Sequence, residues 1–278
     1  MRLAVLSGKG GTGKTFVSVN LAVTAGKATY IDCDVEEPNG RLFFKPQHVT
    51  ENEVFTTIPA FDTEKCVGCR KCVDFCRFHA LVFLKNTPRV FDEVCHSCGG
   101  CALVCPSGAV QERKRPVGVV QQGWSGSVHT LTGVLNPGES SGVPVIRQAL
   151  REGFREDGFV VIDCPPGSGC PVLESVSNAD ACVIVTEPTA FGFHNFKMVY
   201  ELATLLKKPC GVVLNRAGLP YEPLEQFCQE QNLPILARIP YCPHLATLGA
   251  DGKIAVQADP DMAAQFQELY EKIGGELV

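Results

Sequence analysis

Two sets of residues in this sequence have the types and spacing that chemistry demands. The first is the run Ser7-Gly8-Lys9-Gly10-Gly11-Thr12-Gly13-Lys14-Thr15. Its Gly8, Gly13, Lys14 and Thr15 satisfy the spacing of a phosphate-binding loop. Glycines let the backbone N–H groups of the loop, Gly10, Gly11 and Thr12 included, converge on phosphate oxygens. Lys14 can reach the outer phosphates, and the Thr15 hydroxyl suits Mg2+. A glycine turn without a ligand is the bland alternative; the apolar strand before the loop and the helical periodicity after it favour the phosphate reading. The second set is eight cysteines in two runs, Cys66-x2-Cys69-x2-Cys72-x3-Cys76 and Cys95-x2-Cys98-x2-Cys101-x3-Cys105-Pro106. Runs of four at this spacing ligate 4Fe-4S clusters. Zinc also takes CxxC pairs, but it needs four ligands in two pairs, and these runs exceed that.

The elements that must position these residues follow from apolar runs and their periods. Short apolar runs from Leu3 to Leu6, Thr29 to Asp32, Val160 to Asp163, Ala181 to Thr186, Gly211 to Leu214 and Ile235 to Ile239 predict buried parallel strands. Helical periodicity over Thr15 to Ala25, Val143 to Phe154, Phe193 to Leu206 and Pro223 to Gln231 alternates with them. This β-α order predicts an α/β, doubly wound, mostly parallel sheet, on which ligands bind beyond the carboxyl ends of the strands. Asp32 and Asp34 in YIDCDVEEPN, and Asp163 and Gly167 in VVIDCPPG, lie at such ends, as does Asn215 after GVVL. A strand-end aspartate can simply cap a turn, and asparagine also favours turns. Three acidic positions beside one phosphate loop are hard to explain that way together.

Residues 62–115 break the alternation and are expected to form an inserted module, leaving 1–61 and 116–278 for the nucleotide domain. The module repeats internally. Adding 29 to Cys66, Cys69, Cys72, Cys76, Ala80 and Leu81 gives Cys95, Cys98, Cys101, Cys105, Ala109 and Val110. The Gly- and Ser-rich tract from Gly118 to Gly142, with the single tryptophan Trp124, reads as connecting loops with a possible docking role.

Composition narrows the function further. In 278 residues, 45% hydrophobic, there is material for one large core and a modest insertion. A net charge of -5 argues against a polyanion surface, so no nucleic-acid partner is expected. The module carries nine Lys or Arg against six Asp or Glu, a balance of +3 that leaves -8 for the rest. No apolar run reaches the roughly 20 residues that span a bilayer, and MRLAVL reads directly as a strand, so a cytoplasmic, unprocessed protein with no membrane association is expected. Of fifteen cysteines, the seven outside the module (Cys33, Cys164, Cys170, Cys182, Cys210, Cys228 and Cys242) are scattered singly, as small core residues would be.

Lys9 in KGGTGKT makes the loop resemble the deviant Walker A motif of the MinD, ParA, Mrp and nitrogenase iron protein superfamily of ATPases. The cysteine repeat resembles two-cluster bacterial ferredoxins. The resemblance implies ATP and Mg2+ as ligands and a nucleotide-dependent homodimer, with Lys9 contacting nucleotide across the interface. It implies that Asp34 orients the attacking water, that Asp163 is the Walker B aspartate near magnesium, and that Gly167 senses the terminal phosphate. Asp32 is the alternative to Asp34, in a supporting role. Asn215 is implied to bond the base.

For the module, the resemblance implies two 4Fe-4S clusters. One takes Cys66, Cys69, Cys72 and Cys105, the other Cys95, Cys98, Cys101 and Cys76, because the fourth cysteine of each run serves the other cube. Arg77 stands where proline follows such a run. The function implied is an ATP-hydrolysing iron-sulfur protein that couples nucleotide state to electron transfer, with an unnamed redox or iron-sulfur partner protein. The alternative is a cluster assembly or carrier ATPase of the Mrp kind. A MinD-like membrane-positioning role fits poorly, since DMAAQFQELYEKIGGELV is acidic where MinD carries a basic amphipathic helix.

Overall fold

A computed structural model describes residues 1–156 and 158–277. Eleven strands appear among them: β1 (Arg2–Leu6), β2 (Ala28–Asp32), β3 (Gln47–Phe61), β4 (Leu81–Leu84), β5 (Thr87–Val90), β6 (Val110–Ser125), β7 (Val128–Leu135), β8 (Phe159–Asp163), β9 (Ala181–Thr186), β10 (Cys210–Ala217) and β11 (Ile235–Pro240). Nine of them form one sheet in the order β11-β10-β9-β1-β8-β2-β7-β6-β3. From β11 to β7 every pairing is parallel, while β6 and β3 run antiparallel at the edge.

Alternation of side chains along the parallel strands divides the core in two. Ala4, Leu6, Ile31, Ile162 and Ile184 pack on one face against Ile146, Val172, Phe196 and Leu224. Leu3, Val5, Tyr30, Val161 and Val183 pack on the other against Val17, Leu21, Phe266 and Ile273. The helices Lys14–Thr24 and Pro260–Glu276 cover the second face, and Val143–Gly153, Cys170–Ser177, Ala190–Leu205 and Glu222–Glu230 cover the first. All six expected strands and four expected helices are present, with ends shifted by up to three residues.

The tract from Gly118 to Gly142 is not a set of connecting loops. Residues 118–125 continue β6, 128–135 are β7, and only the turn between these strands and the segment 136–142 are irregular. The glycines serve close packing rather than flexibility. A Cβ on Gly133 would lie 2.6 Å from Val35 Cγ1, and one on Gly118 would lie 2.8 Å from Val145 Cγ2. Trp124, in the same tract, is 44% exposed and stacks on His129.

The pair β3–β6 is a long antiparallel ladder from Gln47↔Trp124 to Phe61↔Val110, with register shifts between Gln47 and Thr50 and between Val54 and Phe55. One end lies in the main sheet beside β7. The other carries all eight clustered cysteines, between Asp62 N–H and its acceptor Ala109 O at 2.8 Å. This cysteine segment holds the hairpin β4–β5 and the short helices Lys71–Phe75 and Gly100–Leu103.

Candidate functional site

The phosphate loop joins β1 to the helix Lys14–Thr24. Gly11 and Gly13 adopt φ of 78° and 89°, in the left-handed region that glycine enters without strain. Side chains at Gly10 or Gly11 would meet nothing within 4 Å, so the loop faces open space. The cleft above it, about 860 Å³, is lined by Gly11, Gly13, Lys14, Thr15, Asp34 and Pro166 among others. The Thr12 hydroxyl is buried and has no protein hydrogen-bond partner. Vacant glycine backbone, an orphaned hydroxyl and a helix start together fit a bound phosphate group.

Lys14 sits at the centre of an acidic cluster. Its Nζ lies 2.5 Å from Asp163 Oδ1 and 3.9 Å from Asp34 Oδ2. Burial alone would depress the Lys14 pKa, but the carboxylates of Asp163, Asp32 and Asp34 together outweigh it and hold it above the ordinary lysine value. Asp163 is fully buried and also accepts from Tyr30 Oη at 2.8 Å and Ser18 Oγ at 3.2 Å. Asp32 has a different task. Its two oxygens accept from the N–H groups of Asp34 (3.1 Å) and Gly40 (2.9 Å), fixing the turn on which Asp34 rides. Burial, reinforced by the Asp163 charge, pushes Asp32 up to about 8; burial pushes Asp34 up to about 6 despite Lys14. Both shifts mark a desolvated site where carboxylates outnumber cations, an imbalance that a divalent metal ion would offset.

Other expected residues are placed less directly. Gly167, with φ of 90°, donates its N–H to Ser7 O at 2.9 Å, beside the loop. Gly8 packs so closely on Asn195 that any Cβ would strike its backbone. Asn215 donates to Thr12 O at 2.7 Å and abuts Gly13, so its amide braces the phosphate loop rather than facing the cleft. Lys9 does not line the cleft of its own chain. It pairs with Glu187 at 2.8 Å, over the Phe191 ring, and Arg216 takes the other Glu187 oxygen at 2.7 Å. Tyr30, Ser18 and Glu187 escaped the sequence reading, because a tyrosine within an apolar strand and a serine within a helix carry no motif.

The eight cysteines separate into two groups. Cys66, Cys69, Cys72 and Cys105 line one narrow hollow with Phe61 and Phe83. Cys76, Cys95, Cys98 and Cys101 line another, of about 270 Å³, with Phe75 and Phe78. Cys76 thus lies with the second run and Cys105 with the first. Backbone geometry repeats with the sequence: φ is positive at Gly68 and Ser97 (69° and 54°), at Arg70 and Gly99 (60° and 71°), and at His79 and Gly108 (52° and 61°), each pair 29 residues apart. Such turns aim successive N–H groups inward at an anion. Among the described residues no three of these side chains converge on a point where a single ion would sit.

A parallel sheet with a strand–glycine loop–helix and strand-end aspartates around the loop lysine defines a P-loop nucleotide-binding protein. The chain belongs to the CobQ/CobB/MinD/ParA nucleotide binding domain family, whose model matches residues 3–256. An uncharacterized protein of Methanocaldococcus jannaschii is 29% identical over 279 residues, covering 98% of this chain and 96% of its own length. An iron-sulfur cluster carrier protein of Pyrococcus horikoshii is 24% identical, covering 99% of this chain and 86% of its own. An uncharacterized ferredoxin of M. jannaschii is 40% identical over 53 residues, 18% of this chain and 69% of that one. Among solved structures, the septum site-determining protein MinD of P. horikoshii, determined with Mg-ADP, superimposes with a TM-score of 0.62 at 19% identity, over 98% of this chain and 95% of that one. Among the described residues no helix is long and apolar enough to cross a membrane.

Proposed function

We propose that this protein binds and hydrolyses ATP with Mg2+ and couples its nucleotide state to electron transfer through two 4Fe-4S clusters. The observation that carries the reading is the division of eight cysteines into two groups of four at the end of a ladder rooted in the nucleotide-binding sheet. Backbone N–H groups of residues 10–13 and the Lys14 ammonium would hold the phosphates, and Thr15 and Asp163 would hold the metal. Tyr30 and Ser18 orient Asp163. Asp34, held in place by Asp32, takes the proton side of the attacking water as an ionised carboxylate. In a nucleotide-dependent homodimer, Lys9 would leave Glu187 and enter the partner's cleft. Cys66, Cys69, Cys72 and Cys105 would hold one cluster and Cys95, Cys98, Cys101 and Cys76 the other. Clusters of this kind, when bound, take up and release single electrons.

Anaerobically purified protein is expected to carry about eight iron and eight acid-labile sulfide per chain, and Cys98→Ala to lose half of each. Stoichiometric zinc with little iron would overturn the assignment. A cluster carrier is the second reading, supported by the relative of that name and by the exposed Cys170 at the start of the helix Cys170–Ser177. In that case Cys170→Ala would also lose iron; under the electron-transfer reading its iron content is unchanged.

A further inference from the structure

Among the described residues, one arginine–carboxylate pair lies largely out of the solvent, and together with Asn136 Nδ2, which donates to Pro116 O at 3.4 Å, it ties β6 to the segment 136–142. Arg115 on β6 forks onto Glu139, Nη1 to Oε1 at 2.6 Å and Nη2 to Oε2 at 2.5 Å, with side chains 13% and 8% exposed. The other arginine pairs among the described residues, Arg113–Asp92, Arg147–Glu174, Arg216–Glu187 and Arg238–Glu225, leave the guanidinium 45% exposed or more. A planar fork held on both arms fixes direction as well as distance.

On its nucleotide side, Glu139 belongs to the segment 136–142, which ends at Gly142 on the wall of the cleft. Gly142 lies against Val35, where a Cβ would come 2.5 Å from Val35 Cγ2, and Leu135 N–H, just before the segment, donates to Val35 O at 2.9 Å. Val35 directly follows Asp34. On its cysteine side, Arg115 stands opposite Thr56 in the β3–β6 ladder, and Thr56 Oγ1 bonds Ser97 Oγ at 2.6 Å, inside the loop between Cys95 and Cys98. Arg113, two residues back on β6, holds Asp92 just ahead of Cys95 at 2.7 and 2.5 Å. The side-chain hydrogen bonds among the described residues give the Cys66–Cys76 loop no such tie to β3 or β6. The second cysteine group is therefore fastened to the ladder by side-chain hydrogen bonds, whereas the first meets it through backbone N–H groups at Cys105.

We propose that the Arg115–Glu139 pair is a positioning strut through which the nucleotide cleft sets the environment of the Cys95–Cys98–Cys101 cluster alone. The inference rests on the reading that these cysteines hold clusters and that the protein couples them to nucleotide. When the Asp34–Val35 turn moves on nucleotide exchange, the segment 136–142 moves with it, and the guanidinium carries that displacement to the Thr56–Ser97 contact. Hydrogen bonds and solvent exposure around cluster sulfur then change, and with them the potential. Arg115 and Glu139 are positioning residues, since neither touches phosphate or the reacting water.

The test is an anaerobic redox titration of the holoprotein followed by electron paramagnetic resonance, with Mg-ADP and with Mg and a nonhydrolysable ATP analogue. The two couples are assigned by comparison with Cys69→Ser and Cys98→Ser proteins. In the natural protein the Cys98-dependent couple is expected to shift between the two nucleotides and the Cys69-dependent couple to stay fixed. Glu139→Gln and Arg115→Lys should abolish the shift, and Glu174→Gln, which opens an exposed pair on the same face, should keep it. Arg115→Lys keeps the charge but loses the fork, so survival of the shift in that variant and in Glu139→Gln would overturn the strut while leaving redox coupling intact. A shift of both couples together would overturn the assignment to one cluster. No shift of either couple in the natural protein would overturn the coupling reading itself. Hydrogen exchange of the peptide 136–142 supplies a second measurement that needs no cluster: nucleotide exchange should alter its protection in the natural protein, and Glu139→Gln should remove that response.

Discussion

Under the proposed function, Asp34 is a carboxyl group placed where its ionisation is both needed and costly. Burial pushes it up to about 6, although Lys14 stands 3.9 Å away. An ordinary aspartate titrates near about 4. A raised native value means that the folded chain binds the proton more tightly than the unfolded one. The corresponding stability is complete below about pH 4 and is lost as pH rises through about 6. Thermal unfolding without nucleotide should therefore show Asp34→Asn melting above the natural protein near pH 8, with the gap closing towards about pH 5. A gap that widened towards acid would mean that the carboxylate stabilises the empty site. Hydrolysis has the opposite sign, because only the carboxylate can accept from water: the rate should climb through the same range, and Asp34→Ala should keep nucleotide binding while losing turnover. Lys14→Ala should instead weaken binding itself, about tenfold or more, since the ammonium acts on ground-state phosphate. Equal binding defects in the two variants, measured by calorimetry, would refute this division. The identities of Asp34, Asp163 and Lys14 were legible from the sequence because motif and strand end coincide. The donors that orient them were not: Tyr30 looks like any apolar strand residue until its hydroxyl is seen 2.8 Å from Asp163.

At the scale of elements, the parallel strands were legible and the antiparallel edge was not, for a physical reason. Strands β1, β8 and β9 are buried on both faces and read as continuous apolar runs. β3 has one exposed edge, and QHVTENEVFTT shows the polar residues of a solvated surface. β6 and β7 are masked by glycines that composition assigns to loops. Gly133 shows what these glycines do. It lies beneath Val35 and Val145, where a Cβ would sit 2.6 and 3.0 Å from their methyl carbons. Gly133→Ala should therefore cost about 1–3 kcal/mol by overpacking, read from chemical denaturation with an unchanged slope. A helix glycine such as Gly274, inside Pro260–Glu276 with nothing within 4 Å of a built Cβ, should if anything gain stability on substitution by alanine. Similar costs at both positions would show that the packing account of Gly133 is wrong.

For the whole molecule, the placement of Lys9 raises a question that only assembly can answer. Its side chain is held by Glu187 and the Phe191 ring of the same chain, and it contributes nothing to its own cleft. Under the proposed function, a cation that serves hydrolysis from here would serve another copy. In a two-fold dimer each composite site would combine the phosphate loop and Asp34 of one chain with Lys9 of the other. Release from Glu187 is cheap, because that carboxylate keeps Arg216 at 2.7 Å and is not left as a bare buried charge. The arrangement has a definite genetic signature. Lys9→Ala and Asp34→Ala should each abolish hydrolysis alone. Mixed in equal amounts with ATP, half the dimers become mixed and one of their two sites regains both an intact Asp34 and an intact Lys9, so activity should return to roughly a quarter of the natural rate. The dimer fraction, followed by light scattering in the same samples, separates the two ways of failing. Mixed dimers that form without activity would place Lys9 outside the partner's chemistry, whereas full activity of Lys9→Ala alone would remove it from the reaction altogether.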